Sequence, residues 1–89
     1  MKILVLGDVM GASGRKAINK KLPQIINNNE IDFVIANGEN SADDGRGITH
    51  DIAEEFFKIG VDVITSGNHI WDKQETANFI NKENRLLRP

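Results

Sequence analysis

Three short apolar runs constrain this chain more than any other feature, because each stops at a glycine followed by an acid or an amide. Lys2 to Leu6 ends at Gly7-Asp8, Asp32 to Ala36 leads into Asn37-Gly38-Glu39-Asn40, and Val61 to Thr65 leads into Ser66-Gly67-Asn68-His69. Runs this short, rich in Val and Ile and without polar alternation, predict strands covered on both faces, as parallel strands are. Helical patterns fill the intervals. Segment 14–28 gathers Ile18, Leu22, Ile25 and Ile26 on one face, with Pro23 expected to kink or restart it. Segment 49–59 opens at Thr49, a residue type suited to an N-cap, carries Ile52, Phe56 and Ile59 in one stripe, and stops at Gly60. A last helix is expected from Asp72, with Glu75 completing a capping-box pair, through Phe79 and Ile80. The order β-α-β-α-β-α predicts an α/β fold with a parallel sheet and right-handed crossovers, so all three strands deliver their C-terminal ends to one edge.

Composition sets the outer bounds. At 89 residues the chain makes one small domain that buries about 60 to 65% of its unfolded surface, so its stability is expected to be modest. With 39% hydrophobic and 27% charged residues it is too apolar to stay disordered. No apolar run approaches the roughly 20 residues that cross a bilayer, and Asp8 arrives too early for a secretory signal, so a cytoplasmic location without membrane contact is expected. The absence of cysteine excludes disulfides and thiolate ligands, which leaves oxygen and imidazole nitrogen to hold any metal: iron, manganese or zinc. Eleven basic and 13 acidic side chains give a net charge of -2, no field for gathering nucleic acid. A small phosphorylated substrate is compatible with that balance.

The predicted topology turns three scattered motifs into one candidate site. Ligands of open α/β sheets bind at the carboxyl ends of the strands, where this chain places Asp8, then Glu39 with Asn40, then Asn68 with His69. Gly7, Gly38 and Gly67 are expected to let the backbone turn sharply out of the sheet. Two carboxylates, two amides and an imidazole converging there suit a divalent cation better than packing. On the central exit, Glu39 is placed to bridge two metals, whose bound water would then supply a hydroxide nucleophile at neutral pH. Each position has a plainer reading. Asp8 alone reads equally as a helix cap, Asn40 and Asn68 as turn residues, and a lone histidine as structural. His50 reads as a solvent-facing residue of a first helical turn, and Trp71 as packing beside the site. Ser13 and Arg15 either border a substrate phosphate or, for Arg15, start a helix in solvent.

Together, Gly7-Asp8, Gly38-Glu39-Asn40, Gly45-Arg46-Gly47-Ile48-Thr49 and Gly67-Asn68-His69 resemble the YmdB-type branch of the calcineurin-like metallophosphoesterases, over the whole chain. Met10 stands where the wider superfamily has a histidine, and Glu39 where it has an aspartate; both departures are shared by that branch. The resemblance implies a phosphodiesterase acting on small phosphodiesters, cyclic nucleotide monophosphates above all, with a pair of iron or manganese ions. It implies that Asp8, Glu39 and Asn40 hold one metal, that Glu39 bridges to a second also bound by Asn68, and that His69 protonates the leaving oxygen. It also implies a domain about three times longer, with further histidine ligands and a second sheet layer. Residues 1–89 are therefore expected to be the N-terminal portion of a single metallophosphoesterase domain, supplying about half of a dinuclear site and inactive alone. An uncovered edge and face would then invite a homo-oligomer.

Two other classes compete. The stretch from Gly7 to Gly14 follows a strand and leads into a helix, as in a nucleotide-binding module without hydrolysis, but three residues rather than one separate its first two glycines, and Asp8 would repel a pyrophosphate. The other is a non-catalytic folding or interaction fragment.

Overall fold

The computed structural model describes residues 1–45, 47–67 and 83–87. Strand β1 spans Ile3–Asp8, helix α1 Gly11–Asn29, β2 Phe33–Asn37, α2 His50–Lys58 and β3 Val63–Thr65. The three strands form one sheet in the order β1-β2-β3, and both pairings are parallel, as the alternation of elements predicts. The helix expected from Asp72 through Glu75, Phe79 and Ile80 lies outside the described residues, as does Trp71.

The ladder is closed at its starting edge by a repeated device. Asp32 Oδ2 accepts the Lys2 N–H at 2.8 Å, and Asp62 Oδ2 accepts the Val34 N–H at 2.8 Å. The backbone N–H of each aspartate donates back to the carbonyl of the same residue, at 2.8 Å for Asp32 and 2.9 Å for Asp62. A carboxylate thus takes the first N–H that the new strand cannot reach with its own carbonyl, and register is set from the first residue.

Register fixes which side chains share a face. Leu6, Ala36 and Ile64 form one row across the sheet, and Leu86 extends it through an isolated parallel bridge to Ile64. Right-handed crossovers that step the same way across a sheet put both helices on one face. This row is that face: Ala36, Ile64 and Leu86 are buried with Leu22 of α1 and with Ile52, Ala53 and Phe56 of α2. Phe56, Leu22, Ile48 and Ile64 are among the largest fully buried side chains. Each contributes about 1.5 to 3 kcal/mol by leaving water. On the opposite rows, Ile3 with Phe33 and Val5 with Ile35 and Val63, the β1 residues Ile3 and Val5 are 54% and 67% exposed, whereas Phe33, Ile35 and Val63 are half-buried. The expectation of strands covered on both faces therefore fails at the outer face of β1. Continuous apolar runs reported the apolar character of both faces, and among the described residues the helices α1 and α2 lie on one of them.

Local signals account for the helices. Thr49 caps α2 by accepting the Ile52 N–H at 3.2 Å, Asp51 lies in the first turn and Lys58 in the last, and Gly60 beyond the helix has φ +117°. Helix α1 begins earlier than its apolar pattern suggests and passes through Pro23 without a break. The missing Pro23 N–H orphans the Asn19 carbonyl, but both residues are exposed, so water replaces the lost bond and no restart is needed. Leu22 is buried, with Ile18 and Ile26 packed beside it, whereas Ile25, about 60° around the axis from Leu22, lies at the margin of the stripe and is exposed.

Residues 83–87 run alongside β3. Arg85 O accepts from Ile64 N and Ile64 O from Leu87 N, both at 2.8 Å, so this stretch lies parallel to β3 and hydrogen-bonded to it. Side-chain hydrogen bonds from Arg85 hold the Glu83 carboxyl below its ordinary range, and the Arg85 guanidinium also lies 3.9 Å from the centre of the Phe57 ring.

Gly38, at the end of β2, faces the covered side. A Cβ there would lie 2.9 Å from Ile64 Cγ2, 3.1 Å from Ile48 Cδ1 and 3.3 Å from Phe56 Cε2, three side chains with no exposed surface. Gly38→Ala is expected to destabilise the chain by about 1 to 3 kcal/mol, the usual cost of overpacking, which urea titration checks. A second expectation concerns acid. Because the folded Glu83 pKa is depressed, its pairing stabilises the chain above the unfolded carboxylate pKa and is lost as pH falls through the folded value. Glu83→Gln should therefore lower stability at pH 7 but not at pH 2, and equal losses at both would assign the effect to packing.

Candidate active site at the strand ends

All three strands end at the same edge of the sheet, and their exits are tied together. On β1 the register slips between Leu6, which pairs with Ala36, and Asp8, which pairs with Asn37. Two residues of β1 thus oppose one of β2, a bulge centred on Gly7. Without it Asp8 would follow Leu6 onto the helix-covered face. With it Asp8 joins Asn37 and Thr65 in a polar row on the other face, which is how bulges commonly re-aim a side chain beside a site.

From β2 the chain enters a turn, Gly38 to Ser41, whose Gly38 carbonyl accepts the Ser41 N–H at 3.2 Å and the Ser41 hydroxyl at 2.8 Å. Glu39 and Asn40 are its two corners, so both side chains project from it. Asn37 starts the turn by accepting the Glu39 N–H on its Oδ1 at 3.2 Å, while its Nδ2 donates to Thr65 Oγ1 at 3.3 Å. The role of Asn37 is not among the expectations drawn from the sequence, although an asparagine two residues before a turn corner is the ordinary signal for such a bond.

The Asn40 amide donates to both oxygens of Asp8, at 3.2 and 3.1 Å. Of the plainer readings of these two residues, the turn reading of Asn40 holds and the cap reading of Asp8 does not. Helix α1 has Met10 as its N-cap with no side-chain bond, so Asp8 does not cap it, and Asn40 is not left-handed. Rotating the Asn40 amide by half a turn would set its oxygen against the carboxylate, an arrangement that a cation between the two oxygens would favour. Glu39 reaches the third exit. Its carboxylate lies where a side chain of Gly67 would begin: a Cβ there would be 2.7 Å from Oε1 and nearer still to Cδ and Oε2. Asn68 and His69 follow Gly67 and lie outside the described residues. Among the described residues no group of three or more His, Cys, Asp or Glu side chains gathers as a metal site. The donors that do gather here are one carboxylate and one amide in contact, with a second carboxylate on the same turn.

The glycines act otherwise than expected. Gly7, Gly38 and Gly67 all keep negative φ, so none is needed for a left-handed turn. Gly38 makes room for the core and Gly67 for Glu39. Left-handed glycines occur instead at Gly11, φ +57°, and in the following loop at Gly45, φ +80°, and Gly47, φ +77°. Arg15 is not a solvated helix-start residue: its guanidinium donates to Ser41 O at 2.6 Å and pairs with Asp43 Oδ1 at 2.8 Å. The Gly11 N–H is taken by the Asn40 carbonyl at 2.9 Å and the Gly14 N–H by that of Met10 at 3.0 Å, which leaves little of a phosphate cradle at the start of α1.

The pattern that defines the YmdB-like protein family matches residues 4–89. The chain belongs to that family. It is 42% identical over its full length to a 2',3'-cyclic-nucleotide 2'-phosphodiesterase of Bacillus subtilis strain 168, of which it covers 33%. Among solved structures it is similar to a novel phosphatase from Mycoplasma pneumoniae, with a TM-score of 0.92 and 35% identity over all of this chain and 31% of that one. A hypothetical protein from Thermus thermophilus is also similar, with a TM-score of 0.88 and 37% identity over all of this chain and 34% of that one. The chain thus spans about a third of the length of the curated relatives it matches.

Gly67→Ala is expected to push the Glu39 carboxylate away from the β3 exit while leaving the core of Phe56, Ile64 and Leu22 intact. In amide NMR spectra the shifts should concentrate at residues 37–41 and 65–67, with the unfolding midpoint little changed. Shifts spread through α1 and α2 would show that Gly67 serves global packing instead.

Proposed function

We propose that the chain contributes to hydrolysis of a phosphodiester, and the observation that carries this reading is the Asn40–Asp8 pair, held on the turn that also carries Glu39. Family membership and the name of the Bacillus subtilis relative support a cyclic nucleotide as the substrate class. A carboxylate and an amide in contact, with a second carboxylate on the same turn and no cysteine or lysine among them, fit hard to intermediate divalent or trivalent metals such as iron or manganese. Asp8, Glu39 and Asn40 would hold one ion, and Glu39 with Asn68 a second. When bound, such a pair polarises the phosphoryl oxygens and acidifies water.

The residues of the chain do the rest. The bulge at Gly7 orients Asp8, the turn fixes Glu39 and Asn40 relative to it, and His69 donates a proton to the leaving oxygen. Asp8, Glu39, Asn40 and Asn68 are fewer donors than two ions require. The 89 residues are then the N-terminal portion of a single domain of cytoplasmic character, with its open apolar face covered by the part of the relatives that this chain does not span. No helix of the described residues is long and apolar enough to cross a membrane.

The isolated chain should bind metal weakly and hydrolyse little. A version of the relatives' length should bind stoichiometrically, and tight metal binding by the 89 residues alone would contradict the half-site. In the longer form, His69→Ala should reduce turnover of a cyclic nucleotide about 10²- to 10⁴-fold with metal content retained, whereas Asn68→Ala should lose the second metal. A nitrophenyl phosphodiester, with a better leaving group, should suffer less from His69→Ala. Equal slowing of both substrates, or loss of metal from that variant, would exclude the proton-donor role.

A further inference from the structure

The turn that carries Glu39 and Asn40 has all four of its carbonyls occupied, and by donors from different places. Gly38 O receives the Ser41 N–H and hydroxyl, Glu39 O the Gly47 N–H at 2.6 Å, Asn40 O the Gly11 N–H at 2.9 Å, and Ser41 O the Arg15 guanidinium at 2.6 Å. Three of these carbonyls take backbone donors, which follow from the path of the chain. The fourth depends wholly on a side chain, one that also holds Asp43 at 2.8 Å, two residues further along the loop. The Arg15 side chain is only 15% exposed, so its bond to Ser41 O is shielded from water, whereas Asp43 is 79% exposed and its ion pair is screened. A charge-assisted bond to a part-buried carbonyl is the stronger of the two contacts, and it falls on the residue directly after Asn40.

We propose that Arg15 is a positioning residue for the Asp8–Asn40 pair: by fixing the exit of the turn, it sets the direction in which the Asn40 amide points and so the affinity of the pair for a divalent cation. The inference rests on the metal reading given above. Its physical basis is that Asn40 has a short side chain whose aim follows its backbone. The peptide between Asn40 and Ser41 is held at Asn40 O by the Gly11 N–H and at its Ser41 N–H by Gly38 O, and Arg15 holds the next peptide, between Ser41 and Ala42, through Ser41 O. Release of the Arg15 anchor lets the Ser41–Ala42 peptide rock, which loosens the exit of the turn next to Asn40 and widens the range of positions open to the amide. Partners that orient metal ligands from behind typically alter metal affinity about 10- to 100-fold when removed.

The test uses the 89-residue chain with Mn²⁺ as probe, reading paramagnetic broadening of the Asp8, Glu39 and Asn40 backbone amides together with hydrogen exchange of the Asn40 side-chain amide in metal-free samples. Arg15→Met should need at least about tenfold more Mn²⁺ for the same broadening, and its Asn40 side-chain protons should exchange faster before any metal is added. Arg15→Lys retains the charge but has one ammonium instead of a planar fork, and should fall between Arg15→Met and the wild type. Should Arg15→Met fail to fold, Arg15→Lys decides alone. A broadening midpoint within twofold of wild type and unchanged Asn40 exchange, whatever the loss of thermal stability, would reduce Arg15 to a structural clamp and overturn the proposal. Asp8→Asn separates this failure from failure of the metal reading. If that substitution removes the broadening and Arg15→Lys leaves it untouched, only the positioning role is wrong. If Asp8→Asn leaves the broadening in place, the cation does not use this pair and both readings fall.

Discussion

Strand β2 is hydrogen-bonded on both sides, and its two registers determine where every functional group of the described chain is placed. Pairing with β1 puts Leu4 against Val34 and Leu6 against Ala36 on the helix side, then slips by one residue so that Asp8 meets Asn37 on the other. Pairing with β3 sets Asn37 against Thr65, close enough for a side-chain hydrogen bond between the two exits. A slip of one residue anywhere along β2 would invert this pattern, sending Asp8 toward the core and Ala36 toward solvent. The aspartates that close the ladder at Lys2 and Val34 guard against such a slip from the opposite end of the strands.

Much of this was legible in the sequence because it depends on local chemistry. Thr49 at the start of α2 and Gly60 beyond its end are read directly from residue type, and both act as expected. The three apolar runs gave the strands to within two residues at each boundary, and alternation with helices gave their parallel sense. The gathering of Asp8, Glu39 and Asn40 at one edge followed from topology alone.

What was not legible depends on contacts between residues distant in sequence. Pro23 looks like a breaker until both it and Asn19 prove to face water, where the orphaned carbonyl costs little. Arg15 looks like a solvated helix-start residue until the loop after Asn40 folds back over it. Coverage of the sheet is the clearest case. Val34 and Val5 are the same residue type in equivalent runs, but one is 2% and the other 67% exposed. Nothing in either run encodes that difference, because it arises from the direction in which both crossovers step.

The glycines show why residue type and reason can part company. From sequence, a glycine before an acid at a strand end suggests a conformation that other residues avoid, yet Gly7, Gly38 and Gly67 have ordinary φ. Gly38 is small because Ile48, Phe56 and Ile64 close over it, and Gly67 because the Glu39 carboxylate rests on it. A strained backbone can sometimes be relieved by relaxing the loop, whereas a filled volume inside a close-packed core cannot. The two glycines therefore join the site to the core by steric exclusion: the residues that bury the end of β2 also fix the start of the turn from which Glu39 reaches β3. Any change that loosens packing around Phe56 is transmitted to Glu39 through Gly38, with no polar contact broken on the way.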